Sequence, residues 1–207
     1  MITLKEYLSD PCGTLSIPLW KWRQTVLPEG IKIVHQRDFV SQGDYQDDPY
    51  FRLRHDLDSL KPTQQDMCVI KKADERDILN IVSIINSSYL NIQVTQQQVQ
   101  AWRQYPVYAP DLWLIAFDRK SGKPIGCGIA DFDRDTKEGI LEWIQVLPEY
   151  RGRGIGKLLV LQLLWRLQGK ADFVTVSGSC LNEFNPEKLY RSCGFVGDDV
   201  WHILRKI

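Results

Sequence analysis

The chain has 207 residues, enough for one domain of ordinary size with a modest extension and too few for two full domains. Hydrophobic residues make up 43% and charged residues 25%, the balance of a soluble globular protein, and no segment approaches the roughly 20 apolar residues of a bilayer span. Lys plus Arg equals Asp plus Glu at 26 each, so no global excess of charge draws the chain to nucleic acid or to a membrane, and neither is expected as a partner.

From the front, Lys5 and Glu6 stand where a signal peptide needs an apolar run, so a cytoplasmic location is expected. A short helix around Leu4–Leu8 and strands at Ile31–His35 and Phe51–His55 follow, punctuated by prolines and glycines; the two strands are expected to form a hairpin with a long polar connection. The pattern becomes regular near residue 67. Cys68–Lys71 reads as a strand, and Asp74 precedes a helix with Ile78, Ile81, Val82 and Ile85 at helical spacing. Thr95 with Gln98 is a capping box that opens a helix containing Val99 and Trp102. Leu112–Phe117, Ile125–Phe132 and Ile140–Leu147 are strands of an antiparallel meander. A helix from about Gly154 to Leu167, a strand Phe173–Ser177, a helix opened by Asn185-Pro186 and a strand Val200–Leu204 complete the order.

Cys12, Cys68, Cys127, Cys180 and Cys193 are scattered and odd in number, which points to reduced, mostly buried thiols. His35, His55 and His202 stand apart, and no His/Cys spacing fits a zinc site, so no metal is expected. Trp113, Trp143, Trp165 and Trp201 fall in core elements. The apolar run Leu158–Leu167 is expected against the sheet or at a subunit contact, a pattern that leaves a homodimer open.

The sharpest signal is Glu149-Tyr150-Arg151-Gly152-Arg153-Gly154-Ile155-Gly156-Lys157, where a strand, a glycine-rich turn and a helix start follow in immediate succession. Glycines let backbone N–H groups approach a phosphate, and a helix N-terminus adds unsatisfied donors and partial positive charge, so the loop suits a pyrophosphate. A Walker loop does not fit, because Leu158 stands where Ser or Thr is required; a Rossmann fingerprint does not fit, because Lys157 stands at the third glycine.

The loop resembles the R/Q-x-x-G-x-G/A motif of the GNAT acyltransferases, here Arg151-x-x-Gly154-x-Gly156. Leu189-Tyr190-Arg191-Ser192-Cys193-Gly194-Phe195 resembles that family's second motif, L-Y-x-x-x-G-F, and the resemblance covers about residues 68–207. It implies an α/β (α+β) fold, with a mixed, mostly antiparallel central sheet flanked by helices, preceded by residues 1–67 as an N-terminal extension packed on the core. It also implies acetyl-CoA as co-substrate, transfer of the acetyl group to a primary amine and, in that family, a sheet that splays between the strands here at Ile140–Leu147 and Phe173–Ser177 to admit the pantetheine arm.

On that resemblance, backbone groups of Ile144, Gln145 and Val146 meet the pantetheine amides, and N–H groups of Gly152, Arg153, Gly154, Ile155, Gly156 and Lys157, in the loop begun by Arg151, take the pyrophosphate. An alkylamine with a pKa near ~10 is mostly protonated at neutral pH, so attack on a thioester needs a base, and thiolate departure is helped by an acid. Tyr190 aligns with the family's acid, and Glu142, a carboxylate inside an apolar strand, is the candidate base or an orienting carboxylate. Strand alternation puts Glu142 on the face of Ile144 and Val146.

The second motif departs from the family pattern, because Glu183 and Pro186 stand where an asparagine and an alanine are usual; Asn185 is the remaining candidate for a cofactor contact and reads equally as an N-cap. In the front third, Asp10 to Pro18 with Ile31 to His35 resembles the leader of bacterial GNAT proteins of undefined substrate, and the aromatic and cationic segments Leu19-Trp20-Lys21-Trp22 and Pro49 to His55 either line an acceptor site or extend the core. The rival function is a non-catalytic acyl-CoA-binding regulatory module on the same scaffold.

Overall fold

A computed structural model describes residues 3–13, 27, 29–58, 60, 68–88 and 92–207. They form a mixed α/β fold of mostly antiparallel strands with helices packed on them, in two compact units, Met1–His55 with Thr175–Ile207 and Asp56–Val174.

The second unit is built from β3 (Cys68–Lys72), α2 (Ile78–Ser88), α3 (Gln96–Trp102), β4 (Trp113–Asp118), β5 (Pro124–Asp133), β6 (Glu138–Val146) and α4 (Ile155–Leu167). Its strands pair antiparallel in sequence order, β3 with β4, β4 with β5, β5 with β6. That is the expected meander, extended by β3. Ile78, Ile81, Ile84 and Ile85 of α2 pack with Trp113, Ile115, Cys127 and Ile129 on one face of these strands. On the other face the strands are worn smooth by glycine. A Cβ on Gly128 would lie 3.3 Å from Leu163, and one on Gly139 would lie 2.6 Å from Leu167, so the apolar ridge of α4 seats directly on backbone. Trp165 points away from that ridge and is 55% exposed, which corrects its placement in the core: a helix that is apolar around most of its circumference still buries only the side that meets the sheet.

The first unit holds α1 (Leu4–Ser9), β1 (Ile31–His35), β2 (Tyr45–His55), the end of β7 (Phe173–Ser179), α5 (Pro186–Arg191) and β8 (Val196–Lys206). The expected hairpin of β1 with β2 does not form. β8 pairs antiparallel with both and lies between them, Val34 opposite His202 on one side and Pro49 opposite His202 on the other. A long polar connection imposes no register of the kind a two-residue turn imposes, which leaves both strands free to take the edges of β8. The first 55 residues therefore supply strands to the C-terminal part of the chain, and the contact boundary does not fall at residue 67. Leu53, Phe51, Trp201, Leu204 and Phe195 form the core of this unit. Arg52 is buried among them, its guanidinium donating to the Pro11 carbonyl and the Tyr7 hydroxyl, which ties α1 down. The Pro49–His55 segment is thus core strand, whereas Leu19 to Trp22 and residues 14–18 lie outside the described residues.

Among the described residues no helix is long and apolar enough to cross a membrane, and no group of three or more His, Cys, Asp or Glu is placed to hold a metal ion. Cys12, Cys68, Cys127 and Cys193 are buried and not disulfide-bonded; Cys180 is exposed.

Candidate active site

The end of β6, a single 3₁₀ turn at Pro148–Tyr150 and α4 bring the glycine-rich loop to a helix N-terminus. Gly152 and Gly154 have φ of 73° and 79°, in the left-handed region that side chains with a Cβ enter at a cost of roughly 1–2 kcal/mol. A Cβ added at Gly152 would meet nothing within 4 Å, so the loop opens onto free space there. The first helical hydrogen bond of α4 runs from Leu158 N–H to the Gly154 carbonyl at 3.0 Å, which leaves the N–H groups of Ile155, Gly156 and Lys157 without a carbonyl inside the helix.

Three other α-helices are capped by side chains. Thr3, Thr95 and Asn185 each accept a hydrogen bond from the first turn of α1, α3 and α5. Gly154, which opens the 13-residue α4, supplies no such acceptor. An anionic oxygen fits these donors, and the partial positive end of the helix favours it. Gly152, Arg153, Gly154 and Lys157 are all exposed. Glu149, the loop's acidic residue, is held below its ordinary range by its own backbone N–H and by Lys123, 3.1 Å away. Arg153 lies over the Tyr150 ring and donates to the Glu149 carbonyl.

Arg151 is placed differently from the donors that follow it. Its guanidinium donates from Nε to the Val146 carbonyl at 3.1 Å and from Nη2 to the Ser88 carbonyl at 3.0 Å. Its side chain joins the end of β6 to the end of α2.

Glu142 occupies a β-bulge. Trp143 stands opposite Ile129 and Leu141 opposite Ala130, so Glu142 is the additional residue of β6. The alternation that would carry it onto the face of Ile144 and Val146 ends at the bulge. Ile144 and Val146 stand opposite Gly128 and Gly126, on the α4 side, whereas Trp143 stands opposite Ile129, on the α2 side. Beside Glu142, Trp143 stacks on Trp102 of α3, ring centroids 5.4 Å apart and planes 13° apart. Farther along that wall Arg103 donates to the Tyr108 hydroxyl at 3.1 Å and pairs with Glu75. Sequence reading identified the Trp102 helix and the Trp143 strand but not their stacking, because the two residues are 41 positions apart and no local pattern links them.

Tyr190 belongs to the other unit. It lies on α5, 8% exposed, with its ring against Phe51 and Phe195 at centroid distances of 6.1 and 5.8 Å. Asn185 caps that helix through its side-chain oxygen, 3.2 Å from Lys188 N, so the capping reading of this residue is the one its geometry displays. Gln145 is buried, with Ile144 and Val146 half-buried on either side.

Residues 109–197 match the family described as the acetyltransferase (GNAT) domain. Over 88 residues, 41% of this chain and 33% of the relative, the chain is 28% identical to the uncharacterized N-acetyltransferase CgeE of Bacillus subtilis, so it spans about a third of that protein's length. In fold it is similar to a GCN5-related N-acetyltransferase from Sphaerobacter thermophilus, with a TM-score of 0.66 at 19% identity over 78% of this chain and 52% of the other. It is likewise similar to a chain of the NatC complex in a structure bound to Gag peptide and CoA, with a TM-score of 0.54 at 24% identity over 68% of this chain and 99% of that one.

Proposed function

We infer that this chain, a member of the GNAT superfamily, is an N-acetyltransferase that moves an acetyl group from acetyl-CoA to a primary amine by direct attack on the thioester. The observation that carries the reading is the N-terminus of α4, whose N–H donors have neither a helical carbonyl nor a capping side chain and emerge from a loop that two left-handed glycines hold open.

In this reading the N–H groups of Gly152, Arg153, Gly154, Ile155, Gly156 and Lys157 hold the pyrophosphate, and the backbone of Ile144, Gln145 and Val146 receives the pantetheine arm. Asn185 fixes the start of the helix that carries Tyr190. Acetyl-CoA, when bound, supplies an acyl carbon open to attack and a thiolate able to leave. Glu142 takes one proton from the acceptor's ammonium group, directly or through a water, and releases it to solvent; the Tyr190 hydroxyl protonates the sulfur as the C–S bond breaks and regains its proton from the second one the nitrogen loses, so the products are amide, CoA thiol and one released proton. The bulge supports Glu142 in this role, because it takes a carboxylate flanked by Leu141 and Trp143 out of the regular strand pattern.

Calorimetry with acetyl-CoA on the wild type and on Gly154→Glu tests the reading. Binding on the order of micromolar, lost in the variant, supports it. No binding by a folded wild type overturns it. Binding without transfer to any amine in a screen, unchanged by Glu142→Gln, leaves the chain as an acyl-CoA-binding module.

A further inference from the structure

The end of α2 has carbonyl groups that no helical N–H reaches, and its last turn contains no basic residue of its own. The cation that serves it comes from 63 residues farther on, from the first residue of the phosphate loop. Arg151 Nη2 donates to the Ser88 carbonyl, while its Nε holds the Val146 carbonyl where β6 ends. Ser88 is buried, and its hydroxyl turns back to the Ile84 carbonyl at 2.7 Å. A guanidinium with two such bonds fixes the distance between loop and helix, because its donors lie in one rigid plane.

Two residues before Ser88 a second tie begins. Asn86 donates to the Val94 carbonyl at 3.0 Å, and its side-chain oxygen accepts from Val94 N–H at 2.8 Å. Val94 adjoins Thr95, the cap of α3. That helix delivers Trp102 onto Trp143, the neighbour of Glu142. Two hydrogen-bonded ties, Arg151 to Ser88 and Asn86 to Val94, are thus joined through the last turn of α2 and lead along the chain to the helix whose Trp102 stacks on the neighbour of Glu142.

We propose that Arg151 is a positioning residue that couples the phosphate loop to the α2–α3 segment, so that acetyl-CoA binding orders the wall beside Glu142 before the amine arrives. This rests on the loop being an acyl-CoA site. The physical requirement is that binding restrain Arg151: a pyrophosphate on the N–H groups after residue 151 fixes the loop, and the loop then holds the end of α2 in one arrangement. The coupling is reciprocal, so a firm α2 end also favours a closed loop. Arg151 needs no contact with the cofactor to do this.

Hydrogen exchange on the full chain, with and without saturating acetyl-CoA, tests the proposal. In the wild type, protection is expected at residues 152–158 and also at 84–88 and 92–95, about tenfold at the second group, the size of one charge-assisted hydrogen bond. Arg151→Gln is expected to keep the protection at 152–158 and to bring 84–88 and 92–95 to within about twofold of their cofactor-free rates. Arg151→Lys, which reaches one carbonyl at a time, should recover part of it. Asn86→Ala cuts the path farther on, keeping protection at 84–88 and losing it at 92–95; this variant serves as the second test if the Arg151 variants are shown by near-ultraviolet dichroism to be unfolded. Protection of 84–88 and 92–95 that survives in Arg151→Gln overturns the coupling, as does a wild type protected only at 152–158. A wild type with no protection at 152–158 overturns the acyl-CoA reading itself, and this inference with it.

Discussion

Trp102 and Trp143 stack nearly parallel, 13° between their planes and 5.4 Å between centroids, and Trp143 is the residue that follows the bulged Glu142. One indole comes from a helix and the other from a strand, so the pair fixes the spacing between α3 and β6 at the point where the candidate base sits.

Trp102→Ala is therefore expected to destabilise the fold by about 2 kcal/mol, below the range for a fully buried tryptophan because both rings are only half-buried. Trp102→Phe should recover at least half of that. Urea denaturation measures the loss, and the circular-dichroism couplet of two stacked indoles should vanish in both variants.

Glu142→Gln and Tyr190→Phe separate binding from chemistry. Each is expected to lower kcat by about 10²- to 10⁴-fold with an acceptor found by screening, while acetyl-CoA affinity changes less than about threefold. Calorimetry beside steady-state rates makes the comparison; a matching loss of affinity in either variant would move that residue into the cofactor site.

Gly152→Ala probes the loop without filling it. The added Cβ meets open space, so the cost is that of the left-handed backbone alone, about 1 kcal/mol, visible as a lowered Tm. Acetyl-CoA affinity is expected to fall less than it does in Gly154→Glu, whose carboxylate brings negative charge to the N–H donors at the head of α4.

Thiol reactivity reports on the core. Burial pushes the Cys127 thiol up to about 12 and raises that of Cys68, while Cys180 is exposed. At pH 8 a disulfide reagent should titrate one thiol quickly in the native chain and five in urea, and Cys180→Ser should remove the fast one. Although the Cys180 thiol is also raised by partial burial, its exposure sets it apart.

Asp74 opens the turn ahead of α2 and is held at about 2 by its side-chain bond to Arg76 and by the Arg76 backbone N–H. Its pKa is lower folded than unfolded, so its stabilisation is complete above 3.8 and is lost as pH falls through about 2. Asp74→Asn keeps a capping oxygen and removes the charge. The stability gap between it and the wild type should therefore close between pH 4 and pH 2 in urea titrations.

Most of the secondary structure was legible in the sequence. Thr95 with Gln98 opened α3 as their spacing requires, Asn185-Pro186 opened α5, and the three strands of the meander fell where β-branched and apolar residues cluster. The glycine-rich loop at the head of α4 was legible for the same reason: glycine spacing, strand end and helix start are all contained in one stretch of chain. The insertion of β8 between β1 and β2 left no local mark, because either strand presents the same unpaired backbone edge to any partner.

The sequence by itself determined what short-range physics controls, namely caps, turns, periodicity and the donors at the head of α4. Only the tertiary structure decided what depends on pairing across distance. Register between β5 and β6 made Glu142 a bulge, packing brought Trp102 onto Trp143, and the fold turned the Arg151 guanidinium toward the carbonyls of Val146 and Ser88. A side chain takes the nearest unsatisfied acceptor, and which acceptor is nearest is a property of the folded chain.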